Sequence, residues 1–402
     1  MKKFFAVLLA AALFSGICGC SAARALFPPD EPEPPVDATN QKSVSDDIIQ
    51  LDESRPQFRI GLLTDTQYQS EEIYNCAQNI AKKYGDMIAL ASYPDDFSQN
   101  VQGTVDAALE LASDPLVRAI VFIQGITGAS QAVDAVRETR PDMLFIVGMP
   151  AEPPNEIAMK ADFVLQTDHL AIGRQLPDNA KRMGAKTLVY YTFQRHMDSQ
   201  TFAGKYRMAE LECAALGMTI VKKTIPDPTV SGIDAASAFV ESDMEQQIAQ
   251  YGRQTAFYCT NCAMQKVLIQ KALETGAIFV LQCCPSPYHG YPEALGIDEE
   301  GHWDDALYMI KQIKTKISNA GEGSKFGTWP VPVNMLILQS GVEYSIKYCR
   351  GETNGRFDRA AMESIIKKIA ADYGSECTIA LDKLNGVTFP NDLLIMCDYL
   401  TF

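Results

Sequence analysis

Nowhere in these 402 residues does an apolar run reach the roughly 20 residues that a bilayer-spanning helix requires. The most prominent run, FFAVLLAAALF at Phe4–Phe14, stops at eleven. Positive charge is also short, with 35 Lys and Arg against 50 Asp and Glu, for a net charge of −15. Removal of Lys2 and Lys3 with an N-terminal leader would take it to −17. Such an acidic chain argues against nucleic acid or an anionic lipid surface as partner. Histidine is scarce, at four residues. Familiar catalytic signatures are missing: there is no G-x-S-x-G elbow, no G-x-x-x-x-G-K-[ST] loop and no H-E-x-x-H pair. GEGSKFG at Gly321–Gly327 lacks the spacing of a phosphate loop, and GITG at Gly125–Gly128 lacks the third glycine of a dinucleotide fingerprint. No catalytic residue, no cofactor and no resident metal are expected.

What is present begins with a leader. Two lysines, the eleven-residue apolar run and a small-residue stretch make residues 1–19 a secretory signal peptide. Ile17-Cys18-Gly19-Cys20 resembles the lipobox of bacterial lipoproteins. That resemblance implies cleavage before Cys20, a diacylglycerol on its thiol, and a mature chain held on the outer face of the cell membrane. Residues 20–57, with PPDEPEPP and few periodic apolar positions, read as an extended acidic tether. Fully stretched, the 37 residues after Cys20 span about 120 Å. Beyond Cys18 and Cys20 nine cysteines remain, an odd number that does not suit a disulfide-built exported domain. Reduced thiols acting as small core residues are expected.

From Phe58 onward apolar runs of strand length alternate with helical spacing. FRIGLLTD (Phe58–Asp65), MIALASYP (Met87–Pro94), VRAIVFIQG (Val117–Gly125), MLFIVGMP (Met143–Pro150) and DFVLQTD (Asp162–Asp168) form one series. The pattern restarts with AKTLVYYTF (Ala185–Phe193), MTIVKKTIP (Met218–Pro226), QTAFYCTN (Gln254–Asn261) and AIFVLQCC (Ala277–Cys284). Near-continuous apolar strands between amphipathic helices indicate α/β architecture with parallel sheets covered on both faces. Two such series predict two tandem doubly wound lobes joined by a hinge: an N-terminal lobe at 58–167, a C-terminal lobe at 168–297, and a return segment at 298–402 serving both.

This order of elements, with its lipobox, linker and RIGLLTD opening strand, resembles the type 1 periplasmic-binding-protein superfamily, and within it an uncharacterised family of bacterial lipoproteins. AGKYRMAELECAALGM (Ala203–Met218) and TNCAMQKVLIQKALETG (Thr260–Gly276) resemble two of its helices. The resemblance implies a monomeric solute-binding protein, not an enzyme, that delivers a small polar ligand such as a sugar or nucleoside to an ABC permease. Two alternatives are an extracellular sensor lipoprotein signalling to a membrane receptor, and an exported metal- or thiol-dependent enzyme.

Ligands of open parallel sheets bind beyond the carboxyl ends of the strands. Those ends place Asp65, Gln67, Tyr68, Tyr93, Gln124, Thr127 and Asp168 on one rim, and Phe193, Arg195, His196, Asn261, Tyr288 and His289 on the other. The aromatic rings suit stacking on a ligand, and the polar groups suit its hydroxyls or amides. Arg195 and Asp168 stand out, because a charge at a strand end needs a partner. Cys259, Cys262, Cys283 and Cys284 also lie at strand ends. Adjacent residues of a strand point to opposite faces, so Cys283 and Cys284 are not expected to converge with the other two. Four thiols at C-x-x-C spacing could hold zinc or a cluster, but the preferred reading is four buried thiols, with a Cys262–Cys284 disulfide left open. His169, His196 and His289 fall at or just past strand ends without a short metal-ligand spacing.

Overall fold

A computed structural model describes residues 56–67, 70–96 and 100–402. The leader, Cys20, most of the tether and Tyr68 lie outside the described residues. Each predicted strand of the first series is present: β1 (Arg59–Thr64), β2 (Ile88–Ser92), β3 (Val117–Phe122), β4 (Leu144–Gly148) and β5 (Phe163–Thr167). The helices between them are α1 (Glu71–Tyr84), α2 (Val101–Ser113), α3 (Ala129–Thr139) and the short α4 (Pro154–Ile157). In α1 the Ser70 hydroxyl accepts from Ile73 N at the N-terminus. Glu71 and Glu72 occupy the first turn and Lys82 and Lys83 the last, complementing the helix dipole. Its buried stripe of Ile73, Cys76, Ala77 and Ile80 follows helical spacing.

The second series runs α5 (His169–Arg182), β6 (Thr187–Thr192), α6 (Gln194–Asp198), α7 (Gln200–Ala215), β7 (Thr219–Thr224), α8 (Pro228–Ser231), α9 (Ile233–Tyr251), β8 (Thr255–Cys259), α10 (Gln265–Thr275) and β9 (Ile278–Phe279). Then follow α11 (Tyr291–Leu295), α12 (Ala306–Asn319), β10 (Gly327–Thr328), α13 (Val333–Cys349), α14 (Arg359–Asp372), β11 (Cys377–Leu384), β12 (Val387–Cys397) and β13 (Leu400–Thr401).

Among the described residues the strands form two main sheets. One has the order β11-β12-β5-β4-β3-β1-β2, the other β7-β6-β8-β9, and β10 pairs with β13 separately. In both main sheets the first two parallel strands lie in reversed order, as in doubly wound folds. The fold is therefore α/β, with two doubly wound, mainly parallel-sheet lobes. β3, β4 and β6 are almost wholly buried, which is why they read as unbroken apolar runs. The edge strand β7 carries Lys222 and Lys223, charges that discourage pairing with another chain.

Past Asp168 the chain stays with the second sheet as far as β10, then returns. α13 and α14 cover the first sheet, β12 pairs parallel with β5 and β11 pairs antiparallel with β12, while β13 turns back to β10. Three strands of chain thus cross between lobes, near Asp168, between Thr328 and Val333, and between Cys397 and Leu400.

The predicted strand Ala277–Cys284 is a correction. Only Ile278 and Phe279 are strand. Beyond them the Gln282 carbonyl accepts from the Trp329 indole N–H at 3.4 Å, and the Gln282 side-chain amide donates to Ser286 O at 3.0 Å and Thr328 Oγ1 at 2.8 Å. These bonds commit the backbone to a turn instead of a ladder.

Candidate functional site

The carboxyl ends of the two sheets' strands meet. Glu72, in the first turn of α1 after β1, accepts a hydrogen bond from the Ser286 hydroxyl of the opposite lobe at 3.1 Å. Burial pushes the Glu72 carboxyl up to about 7, against the lowering influence of His289. Asp65, just past β1, is buried and its carboxyl is pushed up to about 6 by the same desolvation. Gln67 is exposed, with its amide donating to Glu71 at 3.4 Å. Gln124 is half-buried and Thr127 exposed.

Across the rim, α5, α6 and α7 bring rings and a cation together. His196 Nδ1 lies 2.8 Å from Thr260 Oγ1, and its ring stacks on Phe202 with centroids 4.0 Å apart. His169, the first residue of α5, lies on the same Phe202 at 5.9 Å. Burial pulls His169 down to about 3 and His196 to about 4, so both are neutral imidazoles. Lys205 of α7 is wholly buried, its ammonium 3.2 Å from Tyr258 Oη and 4.8 Å from the Phe202 ring centre. Burial lowers the Lys205 ammonium, and the nearby sulfurs of Cys283, Cys284 and Cys262 work against that lowering. Among the described residues no carboxylate forms an ion pair with it. α7 can approach α5 this closely because position 173 is glycine; a Cβ there would stand 2.4 Å from Lys205 O.

Beside Lys205 three thiols and an imidazole converge. Cys262 Sγ is 3.2 Å from Cys283 Sγ and 3.6 Å from Cys284 Sγ, and the latter two are 3.7 Å apart. With a ring nitrogen of His289, the four ligand atoms lie within 4.8 Å of one another. The reasoning from strand alternation is corrected here: Cys283 and Cys284 stand beyond the end of β9, in a turn where adjacent side chains need not diverge. The buried-thiol reading holds for Cys259 and Cys283, but Cys262 is exposed and Cys284 half-buried. Hydrogen bonds from Cys283 and Cys284 hold the Cys262 thiol well below its usual range, while its hydrogen bonds with Cys262 and Cys284, together with burial, hold Cys283 well above. Burial alone would lower His289, but Cys262 and Cys284 outweigh it and raise the imidazole well above its ordinary value.

Each arm of the cluster is separately braced. Asn261 caps the turn that carries Cys262, its Oδ1 accepting from Ala263 N at 2.9 Å. The buried Gln265 amide donates to Asn261 O at 2.8 Å and Cys259 O at 3.3 Å. His289 is followed by Gly290 at φ +76°, where a Cβ would fall 2.4 Å from Gln265 Cβ. No other residue would bring that loop so close to α10.

Several predicted site residues find their partners within the protein. Arg195 is exposed and forms a two-point ion pair with Asp227 at 2.9 and 3.2 Å. Asp168 is the N-cap of α5, accepting from Ala171 N at 2.8 Å. The charges at these strand ends are thus already answered. Tyr93 and Phe193 are each 1% exposed and packed in the core, so neither ring is free to stack on a ligand. Tyr93 donates to the Gln124 carbonyl. Tyr288 is buried, donating to His302 O at 2.6 Å and stacking on Trp303. Sequence reasoning missed Glu72 and Lys205. Lys205 had a signal: it shares the buried stripe of α7 with Ala209 and Cys213 at four-residue spacing.

A cavity of about 910 Å³ lies elsewhere, on the flank of the first lobe between α1, α13 and α14. Ile80, Met335, Ile365 and Tyr373 line it, away from the strand ends.

Among solved structures, a putative transcriptional regulator from Clostridium difficile 630 superposes with a TM-score of 0.77 at 20% identity, covering 86% of this chain and 99% of its own. It shares the fold. A periplasmic ribose ABC transporter protein from Conexibacter woesei matches with a TM-score of 0.48 at 12% identity, over 86% of this chain and 92% of its own. An uncharacterised protein of Treponema pallidum (strain Nichols) is 34% identical over 218 residues, 54% of this chain and 99% of its own length. The family model described as "Protein of unknown function (DUF3798)" matches residues 58–327, and the chain belongs to that family.

Proposed function

We propose that this protein is an extracytoplasmic, lipid-anchored solute-binding protein that captures a small polar ligand between its two lobes and presents it to an ABC importer. Cys20 carries the anchor in this reading, and the acidic tether lets the lobes move near their membrane partner. Among the described residues no helix is long and apolar enough to cross a membrane.

The observation that carries the reading is where buried polar atoms lack partners. Twelve such side-chain atoms occur among the described residues. Six of them, on Thr64, Glu72, His169, Gln265, Gln282 and His289, belong to the two facing rims or the turns that form them. A buried polar group left unpaired costs about 1–3 kcal/mol, so their concentration at one place supports a polar guest there. Hydroxyls or amides suit carboxyl, imidazole and amide groups of this kind. Asp65, Glu72, His169, His196 and Thr260 form its proposed walls, and closure over the guest follows hinge motion at the three crossings.

Native mass spectrometry of freshly purified full chain should reveal a carried-over small molecule. A panel of sugars, nucleosides and amino acids should contain a compound that raises Tm, and Asp65→Asn should weaken that shift at least tenfold in concentration. If no compound stabilises the protein, or Asp65→Asn and His196→Ala respond as the parent does, capture at this rim is wrong.

A further inference from the structure

We propose that Cys262, Cys283, Cys284 and His289 bind one soft divalent metal ion of the zinc class in a mononuclear, tetrahedral Cys3His site on the rim of the second lobe. The inference stands on the geometry of these four residues and does not depend on the capture of a solute.

Size comes first. Zinc–thiolate bonds of 2.3 Å set the sulfurs of a tetrahedral site about 3.8 Å apart. The three sulfur separations here are 3.2, 3.6 and 3.7 Å, and the imidazole nitrogen completes a group no wider than 4.8 Å. A polynuclear iron–sulfur cluster places inorganic sulfide between its irons and spreads its cysteines much wider, so a single ion fits and a cluster does not. Donor chemistry agrees: thiolates with imidazole select zinc-class ions, and no carboxylate belongs to the set to favour magnesium or calcium.

Convergence of these donors is not a by-product of local sequence. They come from three segments, each held by its own hydrogen bonds or glycine: the Asn261–Gln265 turn, the Gln282–Ser286 turn and the His289–Gly290 loop. A donor set fixed before the ion arrives is what a tight site requires.

Charge supplies an independent observation. Three thiolates around a divalent ion leave a net charge of −1. Lys205, wholly buried and without a carboxylate partner among the described residues, interacts electrostatically with these sulfurs, and its ammonium would offset that charge. Exposed Cys262 provides the entry path, and each thiol that enters coordination passes its proton to solvent. Four protein ligands close the coordination shell, so the ion would tie the three rim segments together and would not present an open catalytic position.

The test uses full-length protein, reduced and handled under nitrogen, titrated with Co²⁺ alone. Thiolate-to-cobalt charge transfer and the intense visible bands of tetrahedral Co²⁺ should saturate at one ion per chain and vanish on adding Zn²⁺. Cys262→Ser should abolish the signal, and because its side chain is exposed it leaves the core intact, as an unchanged melting curve of the metal-free variant would show. His289→Ala should abolish it too, Cys349→Ser should not, and Lys205→Met should weaken Co²⁺ binding about tenfold or more. A parent protein without tetrahedral bands, or bands that survive Cys262→Ser, would overturn the proposal. So would fully reduced protein that binds Co²⁺ with only weak octahedral absorption.

Discussion

Asp392 is wholly buried in β12, where its Oδ1 accepts from the Gln166 amide at 2.7 Å and its Oδ2 has no partner among the described residues. Burial pushes its carboxyl up to about 7, with Asp382 adding to the effect. The native state therefore prefers the neutral acid, whereas the unfolded chain ionises near pH 4. Stability contributed by this residue is intact below about pH 4 and falls as pH rises through 7, levelling off above. The full penalty is roughly 4 kcal/mol. Asp392→Asn keeps the Gln166 bond and removes the charge, at the cost of an unpartnered amide worth about 1–3 kcal/mol. Chemical denaturation should show the variant about 2 kcal/mol more stable than the parent at pH 8 and no more stable at pH 4. Equal differences at the two pH values would mean that the carboxylate is ionised and satisfied in the fold. The same residue-level view explains Arg195 and Asp168: a charge at a strand end does need a partner, and Asp227 and the first turn of α5 provide it.

At the scale of elements, the loop after Ser286 depends on two glycines of positive φ that differ in surroundings. A Cβ at Gly290 would stand 2.4 Å from Gln265 Cβ, whereas at Gly296 nothing lies within 4 Å. Gly296→Ala should cost only the backbone strain, about 1–2 kcal/mol. Gly290→Ala should cost that strain plus a displaced loop, giving a loss at least 1 kcal/mol larger in the same denaturation assay. Matching losses would show that the loop yields without effort and that His289 is not fixed by this contact. Strands β1, β3, β4, β5, β6 and β8 were legible because burial on both faces writes itself as unbroken apolar sequence. β9 was not: apolar Ala277–Cys284 reads as strand, yet side-chain bonds from Gln282 and Trp329, distant in sequence or unpatterned, end it after Phe279. That early ending is also why the thiol cluster escaped a reading based on alternation. The β11–β12 hairpin carried a signal in Asn385-Gly386, both at positive φ in a two-residue turn. Pro390 and Asn391 in β12 obscured it, and they are tolerated because pairing with β5 starts only at Asp392.

For the molecule as a whole, two sheets do not amount to two independent folding units. One contiguous cluster of buried apolar side chains runs from Ile60, Leu62 and Ile146 of the first sheet, through Leu336 and Val342 of α13, to Val189, Phe257 and Phe279 of the second. The described residues accordingly make one compact unit. The last strands interlock the lobes further, since β12 lies in the first sheet while Thr401, two residues past Tyr399, donates to Asn179 of α5 at 2.8 Å. Unfolding either lobe alone would strip apolar cover from the other, at about 25 cal/mol for each Å² exposed. That penalty works against a half-folded intermediate. Calorimetry of the full chain should therefore show one transition, with calorimetric and van't Hoff enthalpies in agreement, and a ligand or metal held at the rim should move that transition without splitting it. Two resolved transitions would mean that the shared cluster does not couple the lobes. Motion at the three crossings would then have to be treated as the relative movement of separate domains, and a guest between them would stabilise one transition more than the other.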